Sequence, residues 1–301
     1  MWLLFAFSGP ILWAASTHID KYLIERYFKN SDTAVLMVFT AFIGLLMLPF
    51  ILFFEPATLQ LSFISIVIMI VSGIFYMGAM LFYLQALQSS EASIVAPLFQ
   101  MSILFTFLLG YLILGEKISV MHALGAGVII LGALSLSLDS SFHFKALKLR
   151  TLFFMLLSTF VLALSLVIFK FFAIREQFWS TTFWTYVGEA FFGIGILLIP
   201  KYWRQFKILL KTNTKSLLTI NGVNELINLG GSLGARFASL LAPVALVSAI
   251  SSTTSMFVFI FGVLLTVFIP RLAQEDISRK NLLQKGTAVI LVTAGVILTQ
   301  M

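Results

Sequence analysis

Residues Tyr83–Ser119 read YLQALQSSEASIVAPLFQMSILFTFLLGYLILGEKIS, and residues Ala235–Ser278 read ARFASLLAPVALVSAISSTTSMFVFIFGVLLTVFIPRLAQEDIS. Both are long apolar stretches that close on Glu-x-Ile-Ser. Shifting the first by 152 positions lays Gly110 on Gly262 and EASIVAPL (Glu91–Leu98) on PVALVSAI (Pro243–Ile250). The second copy then carries extra residues before Glu275, the counterpart of Glu116. Working outward, Gly125 and Gly286 open the last apolar segment of each copy. FAFSGPILWAASTHIDKYL (Phe5–Leu23) resembles FMLLSTFVLALSLVIFKFF (Phe154–Phe172), with Lys21 on Lys170. The chain reads as a duplication.

The repeated unit is a set of membrane helices. Of 301 residues, 60% are hydrophobic and 10% charged, against about a quarter charged in a soluble domain. The apolar residues run together instead of alternating, and about 18 apolar residues suffice to cross a bilayer as a helix. A helix also satisfies its own backbone polar groups in lipid, whereas the short alternating segments of a β-barrel are missing from the sequence. Ten spans are expected, at about 2–19, 34–54, 62–87, 92–114, 119–138, 151–173, 180–199, 216–241, 243–269 and 281–300. The fold class is all-α integral membrane. The first five-helix unit covers residues 1–139, DSSFHFKALKLR supplies a linker at 140–150, and the second unit covers 151–301. The N-terminal segment lacks the basic leader of a signal peptide and is read as an uncleaved first helix.

Five is odd, so the two units face opposite ways across the membrane. Inverted repeats offer two related packings, one open to each side, which is the basis of alternating access around a site near the midplane. On these features the chain resembles the ten-helix EamA-type branch of the drug/metabolite transporter superfamily. The resemblance rests on the five-plus-five repeat, on LGE at Leu114–Glu116 and on LGAGVIILGALSL at Leu124–Leu136. The second copy departs from it, because TVFIPRLAQEDIS has no Leu-Gly-Glu. The resemblance implies a secondary transporter of small metabolites, and the spans offer neither a nucleophile with its base nor an H-E-x-x-H metal motif, so no enzyme is expected.

Charge bears on orientation and on partners. Of the 19 Lys and Arg, 15 lie on the loops after odd-numbered spans and 4 on the other side. Basic loops stay in the cytoplasm, so both termini are expected outside a cell (inner) membrane. That clustering, and not nucleic acid, accounts for the net charge of +7. There are no cysteines, and His18, His122 and His143 show no metal-ligand spacing, so no metal or cofactor is expected. A G-x-x-x-x-G-K loop is absent, which argues against direct driving by ATP and leaves coupling to protons or simple exchange. A small-molecule substrate and membrane lipid are the expected partners, and a monomer suffices because one chain holds both halves.

Ionisable and polar residues inside spans mark the candidate site, since a charge at a helix centre costs about 2.5–3.5 kcal/mol. Glu189 sits mid-span in WTYVGEAFFGIG, with Trp184 and Tyr186 nearby. Asn221, Asn224, Glu225 and Asn228 follow i, i+3, i+4, i+7 spacing, a stripe that suits a wet cavity better than lipid. Tyr76, Tyr83 and Ser252 are further cavity candidates, the rings as platforms for a cation. The expected ligand is an amine- or amino-acid-like metabolite, a proton, or both in exchange. The bland reading is that each acid pairs with a base on a neighbouring helix, Lys170 being one candidate. Arg236 shares a face with Glu225 but lies about 16 Å along the helix, too far to pair. Asp20, Lys21, Lys170 and Arg236 are assigned to gating or ion pairing. Glycines are read as contact points (Gly110, Gly262) and as a kink in LGGSLGA (Leu229–Ala235). The alternatives are a flippase for a lipid-linked substrate and a non-transporting membrane scaffold.

Overall fold

The computed structural model describes residues 1–27, 32–89, 95, 98–137, 149–212, 214–268 and 279–299. These residues form helices and no strand. In order they are α1 (Trp2–Arg26), α2 (Thr33–Ile43), α3 (Leu48–Phe54), α4 (Phe63–Ser89), α5 (Met101–Leu109), α6 (Val120–Ser137), α7 (Leu149–Arg175), α8 (Phe178–Leu197), α9 (Pro200–Thr212), α10 (Thr214–Leu241), α11 (Val244–Ser251), α12 (Thr254–Phe268) and α13 (Arg279–Leu298). A 3-10 turn at Gly44–Met47 joins α2 to α3, and a π-turn at Gly110–Leu114 extends α5.

Among the described residues, five helical stretches are long and apolar enough to cross a membrane: Trp2–Leu23, Ala34–Phe54, Phe63–Ala86, Leu149–Arg175 and Val244–Phe268. A sixth is reached only when α8 and α9, which meet at a 98° bend, are counted together as one broken span. Met101–Leu114, Val120–Gly132 and Gly286–Leu298 are apolar but shorter. Together they make an integral, multi-pass membrane protein. The structure departs from the expected spans in two places. The expected ninth span is broken into α11 and α12, with Ser252 and Thr253 in a turn between them. The basic stretch after the seventh span is a helix, α9, not a loop. Residues 92–94, 96 and 97 of the fourth expected span, residues 140–148 of the linker and Glu275 lie outside the described residues, while Leu149 and Arg150 of the linker open α7.

Packing is set by glycines and hydroxyls, as expected where lipid is as apolar as the helices. Helix α4 lies between α7 and α8, α1 packs on α10 and α12, α6 on α13, and α2 on α8. Where α4 crosses α8, a Cβ on Gly73 would fall 2.0 Å from the Thr185 carbonyl oxygen, and one on Gly188 2.0 Å from that of Ile70. A side chain at either position would force the helices apart. Ser72 and Ser165 bond each other's carbonyls at 3.0 and 2.8 Å, and Ser158 donates to Ala79 at 2.8 Å, fastening α4 to α7. The LGGSLGA glycines do not interrupt α10. Gly231 faces the Trp13 ring and Gly234 faces Ser8, so they let α1 approach.

The LGE stretch has a specific geometry. Gly115 adopts φ 67°, a left-handed conformation that favours glycine, and ends the helix. The chain folds back, and Glu116 N–H bonds the Gly110 carbonyl at 3.2 Å. The Glu116 carboxylate then occupies the space a side chain at Gly110 would need, with Oε2 2.8 Å from that Cβ position. Gly110 was expected to let a neighbouring helix approach. It makes room instead for the motif's own acid.

Candidate functional site

A cavity of about 800 Å³ runs through the helices. Ser239 and Val244 line one end, and Asp20, Tyr83 and Leu84 the other. Helices from both halves of the chain contribute. Most of its surface is apolar, with a few polar groups set into it, the usual composition of a small-molecule site.

Two polar centres stand out. In the first, Arg236 of α10 reaches Glu189 of α8, with Nη2 2.5 Å from Oε1, and both side chains are nearly fully buried. The guanidinium lies 5.0 Å from the Tyr186 ring centre, 5.1 Å from Phe169 and 5.5 Å from Tyr76. Its Nη1 has no hydrogen-bond partner among the described residues. A buried pair of opposite charge is costly to break, because the survivor is left uncompensated.

The second centre joins α1, α2 and α10. Glu225 Oε1 accepts from Thr40 Oγ1 at 2.9 Å, while its Oε2 is buried without a partner. Asp20 Oδ1 accepts from Asn224 Nδ2 at 2.6 Å, and Ser16 Oγ lies 3.4 Å from Oδ2. The Oδ1 atoms of Asn221 and Asn224 are also buried and unpartnered. Among the described residues no Lys or Arg forms an ion pair with Asp20 or Glu225. This end of the cavity therefore holds two carboxylates, further acceptor oxygens and no opposing cation.

The candidates read from sequence divide between cavity and frame. Glu189, Glu225, Asn228, Tyr76, Tyr83, Tyr186, Ser252, Asp20 and Arg236 line the cavity. Asn221 and Asn224 are buried behind it, Asn224 holding Asp20. Trp184 turns away, and its indole N–H bonds the Thr58 carbonyl at 3.0 Å. Lys21 is exposed. Lys170 does not meet Glu189. It bonds Glu116 at 2.5 Å and the Ala242 carbonyl at 2.7 Å, while Glu116 Oε2 accepts from Val244 N–H at 3.0 Å. The acids read as substrate-binding, Glu189 and Glu225, both lie in the second half, yet Asp20, assigned from sequence to gating or ion pairing, brings one to the cavity from the first. Its place at the end of a span, where a charge can reach water, hid this. Gln100 and Ser248 also line the cavity, and the seryl stripe of Ser248, Ser251, Ser252 and Ser255 lies along it.

Residues 1–138 match the EamA-like transporter family. An uncharacterized transporter in the cobO 3' region of a Sinorhizobium species is 41% identical over 66 residues, which are 22% of this chain and 47% of that protein. The chain thus spans about half the length of that curated relative. A crystal structure of a protein 17% identical in sequence superposes with a TM-score of 0.69, covering 98% of this chain and 94% of its own. That likeness is one of fold.

Proposed function

Starting from an EamA-like domain over residues 1–138, we propose that the chain is a secondary transporter that moves a small amine- or amino-acid-like metabolite by alternating access. The carrying observation is the buried, unpartnered Oε2 of Glu225 beside Asp20, at an end of the cavity where no Lys or Arg among the described residues pairs with either acid. Buried charge must be matched. An ammonium group can match it, and so can a proton when the amine has left. One site occupied in turn by amine and proton exchanges the two. At the other centre Arg236 spends one nitrogen on Glu189 and has Nη1 free to donate to a carboxylate or other acceptor on the substrate. The Tyr76 and Tyr186 rings and the apolar wall take the rest of the molecule.

Two observations support ten spans in two inverted five-helix units. The packing has the symmetry such units require. Helix α1 of the first half packs on α10 of the second, as α7 of the second packs on α4 of the first, and α6 packs on its counterpart α13. The helix breaks also correspond: turns at Gln100 and Ser252 are 152 positions apart, the shift that aligns the repeats, and both line the cavity. Broken helices at such a site are a recurring transporter feature. With the basic loops in the cytoplasm, α9 lies on the cytoplasmic side.

Proteoliposome counterflow tests the function. Vesicles loaded with an excess of unlabelled amine should accumulate the labelled amine without ATP. Glu225→Gln should weaken uptake about 10- to 100-fold, the worth of a hydrogen bond to a charged group. Unchanged uptake in that variant would remove the carboxylate from the site.

A further inference from the structure

Helix α9 has no part in the cavity and lies 98° from α8. With α8 read as the seventh span, the 98° bend lays α9 along the bilayer surface. Its sequence, PKYWRQFKILLKT, has two faces. Leu209 is buried against Leu23, Val35 and Leu217, with Tyr202 and Phe206 packed on the same cluster. Arg204, Lys207 and Lys211 point outward, at spacings of three and four residues, and form one stripe about 10 Å long.

The frame holds this helix firmly. Lys201 Nζ lies 2.8 Å from Asp32 Oδ2, and Asp32 N–H donates to Gln205 Oε1 at 3.1 Å. Asp32 caps α2, bonding Ala34 N–H through Oδ1. Burial favours the neutral acid at Asp32, but Lys201 and the Ala34 N–H outweigh it and hold the group below its ordinary value. The outward stripe has no such partners. Among the described residues no carboxylate lies within ion-pair distance of Arg204, Lys207 or Lys211. Trp203 is 42% exposed beside them, and Lys207 Nζ sits 4.6 Å from the centre of its ring. Tryptophan belongs at headgroup depth, and basic residues on a helix lying in the interface attract anionic lipid.

We propose that the outward face of α9 is a binding surface for anionic phospholipid headgroups, with Arg204, Lys207 and Lys211 on the phosphates and Trp203 seated between the lipids. Charge complementarity selects this occupant. Three cations without counter-charges among the described residues, at an interface an aromatic ring can enter, match a row of phosphates at the surface of one leaflet. A zwitterionic headgroup carries its own cation and gains less. Each Lys or Arg at an anionic surface is worth about fivefold in binding. Because α9 braces the N-terminus of α2 and the start of α10, lipid bound there stiffens one end of the bundle. This inference is independent of the substrate.

The test is thermal unfolding of the purified full-length protein in mixed micelles containing phosphatidylglycerol or phosphatidylcholine. Phosphatidylglycerol should raise the melting temperature by about 3 °C or more over phosphatidylcholine. The Arg204→Gln/Lys207→Gln/Lys211→Gln variant should lose that rise while melting as wild type does in phosphatidylcholine. Lys145→Gln/Lys148→Gln/Arg150→Gln, which removes the same charge elsewhere, should keep it. Wild type gives an independent reading: the rise should vanish near 1 M salt, where the screening length is about 3 Å. The proposal is overturned by no rise at all, by a rise that survives high salt or the α9 variant, by its loss in the control variant, or by an equal rise with inorganic phosphate alone.

Discussion

Arg236→Met is expected to destabilise the protein by about 3–5 kcal/mol, the cost of stranding the buried Glu189 carboxylate. Glu189→Met should cost a similar amount by stranding the guanidinium. The double variant Glu189→Met/Arg236→Met should recover most of the loss, because two thioether side chains fill the space without buried charge. Unfolding in detergent, analysed as a double-mutant cycle, measures the coupling. Additive losses would mean that the 2.5 Å contact between Arg236 and Glu189 carries no pair energy. Transport should remain impaired in the double variant despite its stability, since the donor offered by Arg236 Nη1 is gone. Recovered transport would make the pair purely structural. From sequence, Glu189 and Glu225 were both candidate substrate acids, and pairing with a base on a neighbouring helix was the alternative for each. The base comes from α10, and the acid left uncompensated is Glu225.

The second large effect is expected at Glu116. Its carboxylate joins the end of the first-half helix α5 to Lys170 of α7 and to the N-terminus of α11, and Lys170 also holds the Ala242 carbonyl. These contacts close the bundle just beyond Ser239 and Val244, one end of the cavity. Glu116→Gln removes the charge from both bonds and should shift the population toward opening at that end. The chain has no cysteine, so Ser239→Cys gives a clean reporter. Its labelling by an impermeant maleimide in intact cells should be about tenfold faster with Glu116→Gln than without, a bias of about 1.4 kcal/mol between the two states. Lys207→Cys, on the cytoplasmic side in this account, should stay unlabelled. Equal Ser239→Cys rates would remove Glu116 from the closure, and a labelled Lys207→Cys would reverse the orientation.

The helices were legible because lipid imposes a simple rule: an unbroken apolar run must satisfy its own backbone. The polar stripe of α10 was legible for the same reason, since Asn221, Asn224, Glu225 and Asn228 recur at helical spacing where lipid would not tolerate them. Pairings between helices were not legible. Nothing near Lys170 in the sequence points to Glu116, and nothing near Arg236 points to Glu189, because each pair joins helices far apart in the chain, the first across the two halves and the second between α8 and α10. The LGE motif was visible as letters, while its mechanics needed the left-handed Gly115 and the space left by Gly110. Helix α9 was hidden by its charge, which reads equally well as an orientation signal in a loop. Trp184 shared the span of Glu189 but not its face, and the 3-10 turn at Pro56–Gln60 that receives its indole is short and without a strong pattern.

The most direct test of the two-centre cavity is ligand stabilisation, measured as a shift in melting temperature on wild type and Glu225→Gln in parallel. The panel would hold amines, amino acids, carboxylates lacking an amine, and neutral or lipid-like compounds. The account predicts that amines and amino acids stabilise wild type by about 3 °C or more when saturating, and that Glu225→Gln abolishes the shift. Stabilisation by neutral or lipid-like compounds alone, equal in both proteins, would contradict it and make Glu225 a structural acid.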